Sequence, residues 1–113
     1  MRFLRAFRYQ DLLRNYGDVV LMGDKVYELG EDFSNSAIYT RSSIKDVTAY
    51  ILAELDAASK DLPTANNNTN WKLGRATKGA AQALLAKVFL YQKDWQNAYD
   101  YANEVITSGE YGM

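Results

Sequence analysis

The sequence predicts an all-α fold: about four helices in antiparallel pairs, stacked in a tetratricopeptide-like manner, with one long loop. Three observations carry that prediction. Apolar residues recur at i, i+3 and i+4 through four separate segments, cap residues and Gly or Pro bracket those segments, and the last two segments are joined by a turn so short that they must run antiparallel. No stretch shows a convincing strand period. The 113 residues suit one helical domain, 1–113.

From Phe3 to Tyr16 the residues Ala6, Tyr9, Leu13 and Tyr16 recur at helical spacing, while Arg2, Arg5, Arg8 and Arg14 fall mostly on the other side. Gly17 then supplies the left-handed position at which helices commonly stop. Asp18 to Arg41 contains Gly23, Gly30 and the polar run Asp32-Phe33-Ser34-Asn35-Ser36, with no sustained period. This stretch, 18–41, is expected to be a long loop, and loops of that size are usually functional, mobile or paired with another part of a protein.

Ser42 or Ser43 can N-cap a second helix whose stripe is Ile44, Val47, Ile51, Leu55, Ala58 and Leu62, with Asp46 in the first turn where the helix dipole favours it. Pro63 closes it, because the residue before proline is pushed out of the helical region. Ala65 to Asn70 is a turn-rich connection. Thr77 caps a third helix running to about Tyr91, in which Gly79, Ala80, Ala81, Ala83 and Ala86 would let a neighbour approach closely. Asp94 caps a fourth, with Trp95, Ala98, Ala102 and Val105 on one stripe widened by Tyr99 and Ile106, and Ser108-Gly109 ends it. These last two helices form a hairpin of the kind that builds helical repeats. Leu85, Ala86, Phe89 and Ala98 fall at tetratricopeptide-type positions, although Ala102 stands where an aromatic is expected.

Composition narrows the function classes. Thirteen Lys and Arg against fourteen Asp and Glu leave no electrostatic footprint for nucleic acid or an anionic membrane. The absence of Cys and His removes thiol nucleophiles, thiolate metal sites, the usual general base and the commonest transition-metal ligand. Binding rather than catalysis is therefore expected, with no cofactor. No apolar run approaches the ~20 residues of a membrane span. Arg8, Asp11 and Arg14 interrupt what would be the apolar core of a signal peptide, so Met1 reads as the start of a truncated or artificial reading frame. Glu31 and Asp32, adjacent in a loop, lack the substrate-sized gap that glycoside hydrolysis needs and the ligand spacing of a calcium loop. The Gly74 to Gly79 segment lacks the Walker spacing of a phosphate loop.

Several blocks together carry a family resemblance. They are Arg5-Ala6-Phe7-Arg8-Tyr9-Gln10-Asp11-Leu12-Leu13 with Tyr16-Gly17-Asp18-Val19-Val20-Leu21; Ile51 to Ala58 ending in Leu62-Pro63; Gly74-Arg75-Ala76-Thr77-Lys78-Gly79-Ala80-Ala81 continuing through Leu84 to Tyr91 and on to Asp94-Trp95 and Ala98; and Val105 to Tyr111. The chain resembles the early helical-repeat portion of the SusD/RagB family, with Val20 in place of an expected proline and Glu54 where Asp is usual. The resemblance implies a fragment of a larger protein. It also implies, for that parent, an outer-membrane lipoprotein of Bacteroidetes-type bacteria that captures oligosaccharide at the cell surface and passes it to a TonB-dependent transporter. In such proteins this region would be mainly scaffold and transporter contact. The family's lipidated Cys is absent from these residues, so this chain alone is expected to be soluble.

Within the chain, Trp71 beside Asn70 is the candidate carbohydrate contact, since an exposed indole stacks on a sugar ring while an amide bonds its hydroxyls. The competing expectation is that Trp71 folds back as a cap over the third helix. Trp95 is expected in the core, and Tyr9, Tyr16, Tyr91 and Tyr99, which sit on helical stripes, as core residues with wet hydroxyls. Tyr27 and Tyr39 are left open between the two roles. Two other functions remain in view: a stand-alone tetratricopeptide-like module for a protein or peptide, and a truncated product that self-associates through an apolar face.

Overall fold

A computed structural model describes residues 1–26, 28–30, 34, 40–64 and 74–112. It contains four α-helices: α1 (Arg2–Tyr16), α2 (Ile44–Asp61), α3 (Lys78–Tyr91) and α4 (Trp95–Thr107). No strand occurs among the described residues beyond an isolated antiparallel bridge between Val19 and Ser42. Each helix packs on the next in chain order, and α1 also touches α3. None of the helices is long and apolar enough to cross a membrane.

The caps follow the sequence closely. Ser43, rather than Ser42, accepts a hydrogen bond from the Asp46 amide at 3.2 Å, Thr77 accepts from Ala80 at 3.3 Å, and Asp94 accepts from Asn97 at 3.3 Å. Each satisfies one of the donors that a helix start leaves open. Gly17 takes φ 77° and ends α1, its amide donating to the Leu13 carbonyl. Leu62 leaves α2 in an extended conformation, as its place before Pro63 demands. Between α3 and α4, Lys93 takes φ 61°, and the Asp94 amide reaches back 3.0 Å to the Phe89 carbonyl. That tight reversal makes the pair antiparallel.

The core lies where α2 and α3 face each other. Val47, Ile51, Leu55, Leu85 and Val88 are fully buried there, and Ala6 and Tyr9 from α1 close over them. Each large aliphatic side chain so removed from water stabilises the fold by about 1.5–3 kcal/mol. Of the stripe expected on α2, Val47, Ile51, Leu55 and Ala58 are buried, whereas Ile44 at its start stands exposed. α1 depends on this packing more than the others, since it has no side-chain cap and no acidic residue in its first turn, and Arg2 and Arg5 stand near its positive end.

Several expected core aromatics are not in the core. Trp95 is 63 % exposed, and Tyr16, Tyr91 and Tyr99 are likewise on the surface, as is Ile106. The reason is geometric. α4 touches only α3, so its apolar stripe is wider than its single neighbour can cover, and Ala98 is its one buried residue among those described. The side that does meet α3 includes Tyr101, whose ring stacks on Phe89 at 5.6 Å between centroids.

The beginning of the long loop is fastened to the helices. Its two ends are joined where the Ser42 amide donates to the Val19 carbonyl at 2.8 Å and the Ile44 amide to Asp18 Oδ1 at 3.0 Å. Tyr9 Oη accepts from the Met22 amide at 3.0 Å. The Arg5 guanidinium bonds Glu54 of α2 at 2.6 Å and also pairs with Asp24. Arg5 thereby clamps α1, α2 and the loop together, and both carboxylates hold its ionisation above the ordinary arginine range.

Candidate functional site

The sequence's carbohydrate candidates lie on the segment between Thr64 and Gly74. Asn70 and Trp71 themselves lie outside the described residues, as do Tyr27, Glu31, Asp32 and Tyr39. The base of the segment is well defined. The Lys78 amide donates to the Pro63 carbonyl at 3.0 Å, tying the start of α3 to the end of α2. Thr77, the α3 cap, shares a 2.6 Å hydrogen bond with Tyr111 Oη. Gly79 lies directly against the Tyr111 ring: a Cβ there would stand 2.5 Å from Tyr111 Cε2. Gly79 therefore admits an aromatic ring from the chain's last residues.

Beside this base is a cleft of about 290 Å³ between the start of α3 and the end of α4. Its walls are Thr64, Lys78, Gln82, Glu104, Thr107, Ser108 and Glu110, with Gly79 also lining it. Gln82 Nε2 donates to Glu104 Oε2 at 2.5 Å, bridging the two helices across the cleft. The hydroxyls of Thr107 and Ser108 donate to the Asn103 and Val105 carbonyls at 2.8 and 2.7 Å. Thr64 Oγ1 is buried and has no hydrogen-bond partner. The cleft has no signature in the sequence, because its residues are ordinary helix-end polar side chains that only the α3–α4 hairpin brings together.

A second surface has the opposite chemistry. Trp95 and Tyr99, one turn apart on α4, border a shallow groove of about 330 Å³ with Ala86, Leu90, Ala98 and Ala102. Trp95, Tyr99 and Leu90 are each more than half exposed, which makes this an uncovered apolar strip. Among the described residues no group of three or more His, Cys, Asp or Glu can hold a metal ion.

Among the described residues, three buried polar atoms of the body itself lack a hydrogen-bond partner: Tyr50 Oη, Gln10 Oε1 and Arg5 Nε. Tyr50 packs edge-on to Tyr9 at 5.6 Å and lies under the Arg5 guanidinium at 5.9 Å, yet its hydroxyl is buried without a partner. Burial, reinforced by the Glu54 charge, raises its ionisation above the ordinary tyrosine value. Gln10 Oε1 is likewise buried and unpaired. Tyr91, held by Arg14 at the surface, ionises more readily than an ordinary tyrosine.

Comparison with known proteins gives a consistent result. Residues 2–90 match the SusD-like family described as "Starch-binding associating with outer membrane". The chain is 30 % identical over 96 residues to a SusD-like protein of Bacteroides ovatus, covering 85 % of this chain and 16 % of that protein. It is 31 % identical over 106 residues to SusD-like protein P2 of Formosa agariphila, covering 94 % and 19 %. A crystal structure of a SusD-like protein from Bacteroides fragilis superposes with a TM-score of 0.81 at 38 % identity, over 99 % of this chain and 20 % of that one. A SusD-like carbohydrate-binding protein of the same organism gives 0.80 at 28 % identity, over 96 % and 20 %. The chain thus spans about a fifth of the length of the relatives it matches.

Proposed function

The chain belongs to the SusD-like family, and from that premise we propose that it is a non-catalytic, helical-repeat portion of a larger glycan-binding protein at the outer-membrane surface. Its four helices serve mainly as scaffold and as contact for a TonB-dependent transporter that takes the captured oligosaccharide onward. The observation that carries this reading is the superposition of nearly the whole chain on one fifth of a SusD-like structure, at an identity high enough to reflect common descent. The absence of Cys and His agrees with a binding role.

Physical features support the scaffold assignment. The core is small and lies between α2 and α3, while the α4 strip of Trp95, Tyr99 and Leu90 is the kind of face that further helices of a repeat protein cover. In isolation the same strip would drive self-association. Asn70 and Trp71 remain the candidate sugar contacts on the segment between Thr64 and Gly74, with Trp71 as the stacking ring.

The test is copurification. The protein containing this chain, tagged and extracted from its own membranes in detergent, is expected to bring down a TonB-dependent barrel and to bind an oligosaccharide by titration calorimetry. A purified protein that carries no barrel and gives no heat with starch-, cellulose- or laminarin-derived oligosaccharides would refute the proposal.

A further inference from the structure

We infer that the polar cleft between the start of α3 and the end of α4 is a subsite for one neutral sugar residue. The inference rests on the glycan-binding reading above and gives it a location within this chain. The cleft has hydrogen-bond capacity left over. Thr107 and Ser108 have already given their hydroxyl protons to helix carbonyls, and Ser108 Oγ also accepts from the Glu110 amide at 3.5 Å, so Thr107 presents its lone pairs outward and Ser108 keeps one. Gln82 has committed one N–H to Glu104 Oε2, leaving its own carbonyl and Glu104 Oε1 as acceptors. Lys78 contributes an ammonium with up to three N–H donors.

This set suits a ligand that brings several O–H donors and can also accept from one cation. A polyhydroxyl ring does both. An anion would meet the carboxylates of Glu104 and Glu110, both of which line the cleft, and find mainly acceptors. A divalent cation would find no cluster of three carboxylates among the described residues. At about 290 Å³ the space is at the small end of ligand pockets, which limits it to one sugar residue rather than a length of polymer.

The experiment is an amide-shift titration of the isotope-labelled chain with maltotriose, cellotriose and laminaritriose. Glycerol, sodium sulfate and calcium chloride serve as controls. At least one trisaccharide is expected to move the amides of Gly79, Gln82 and Ser108 with a dissociation constant on the order of millimolar, as befits a few solvent-competed hydrogen bonds. Gln82→Ala and Thr107→Val should each weaken that binding roughly fivefold. Neither residue is in the core, and unchanged helical circular dichroism would show that both variants fold. The assignment is overturned if no trisaccharide moves these amides, if both variants leave the titration unchanged, or if glycerol, sulfate or calcium moves them at equal or lower concentration. Shifts confined to the Trp71 segment would sink the cleft while leaving the glycan reading intact. Failure of the copurification experiment, by contrast, would remove that reading whatever the cleft binds.

Discussion

Replacing Tyr50 with Phe should make the protein more stable, although it deletes a polar group and adds nothing. The Tyr50 hydroxyl is buried without a hydrogen-bond partner, so folding removes it from water without compensation. Such a loss costs about 1–3 kcal/mol. The lower figure applies here, because the rest of the Tyr50 side chain is only partly buried. Phe keeps the edge-on contact with Tyr9 at 5.6 Å and the ring beneath Arg5 at 5.9 Å. The expected gain is therefore about 1 kcal/mol, or about 3–6 °C in Tm for a domain of this size. Urea titration followed by circular dichroism measures it, with an unchanged slope showing that the unfolded state is unaltered. pH supplies a second readout. Burial raises the folded-state ionisation of Tyr50 above its ordinary value of 10.0, so its neutral form is favoured by folding. That contribution is fully present below pH 10.0 and is lost as pH rises through the higher, folded-state value. Phe has no such loss, so the advantage of Tyr50→Phe should widen in alkali. Tyr101, also raised by burial, is present in both proteins and cancels. A variant less stable than its parent near neutral pH would show that the hydroxyl is hydrogen-bonded after all, through an ordered water beside Arg5.

Leu85, 1 % exposed between α2 and α3, should lose about 3 kcal/mol on truncation to Ala, read as a fall in urea midpoint; a loss below about 1 kcal/mol would mean that the core is not where the structure puts it. Gly79→Ala is a test of close approach: alanine favours the helix by up to about 1 kcal/mol, but its methyl must displace Tyr111 and its bond to Thr77. The substitution should be near neutral in the parent and stabilising in a Tyr111→Ala background, and equal effects in both would deny the contact. The isolated chain should also self-associate with rising concentration in sedimentation velocity through the α4 strip. Trp95→Gln with Leu90→Gln should abolish that, whereas a chain that stays monomeric throughout would show the strip to be inert.

Much of this architecture was legible because its signals are local. Ser43, Thr77 and Asp94 cap the helices they precede, Gly17 and Leu62-Pro63 end theirs, and Val47, Ile51, Leu55 and Ala58 bury the α2 face that their spacing defines. Periodicity says which residues share a face, but not whether anything covers that face. Trp95 and Tyr99 do lie on an apolar stripe, yet α4 has one helical neighbour and leaves them in solvent. Tyr16 and Tyr91 fail for a related reason, since each sits in the last turn of its helix, beyond the core between α2 and α3.

The candidate site was less legible than the fold because its chemistry is shared among distant positions. Thr64, Gln82 and Thr107 are unremarkable in sequence, and only the α3–α4 reversal at Lys93 brings the start of one helix beside the end of the other. The one local hint was Gly79, immediately inside a capped helix where alanine would be the better helix former. The small-residue pattern suggested that Gly79 makes room for a second helix, but what fills the room is the Tyr111 ring. The same ring bonds the Thr77 cap, so a residue beyond α4 stabilises the start of α3. That arrangement places the polar cleft on a rigid hairpin, while the apolar strip occupies other residues of the same two helices. A single hairpin can therefore carry a hydrated ligand surface and a dry packing surface, and a substitution in one need not disturb the other.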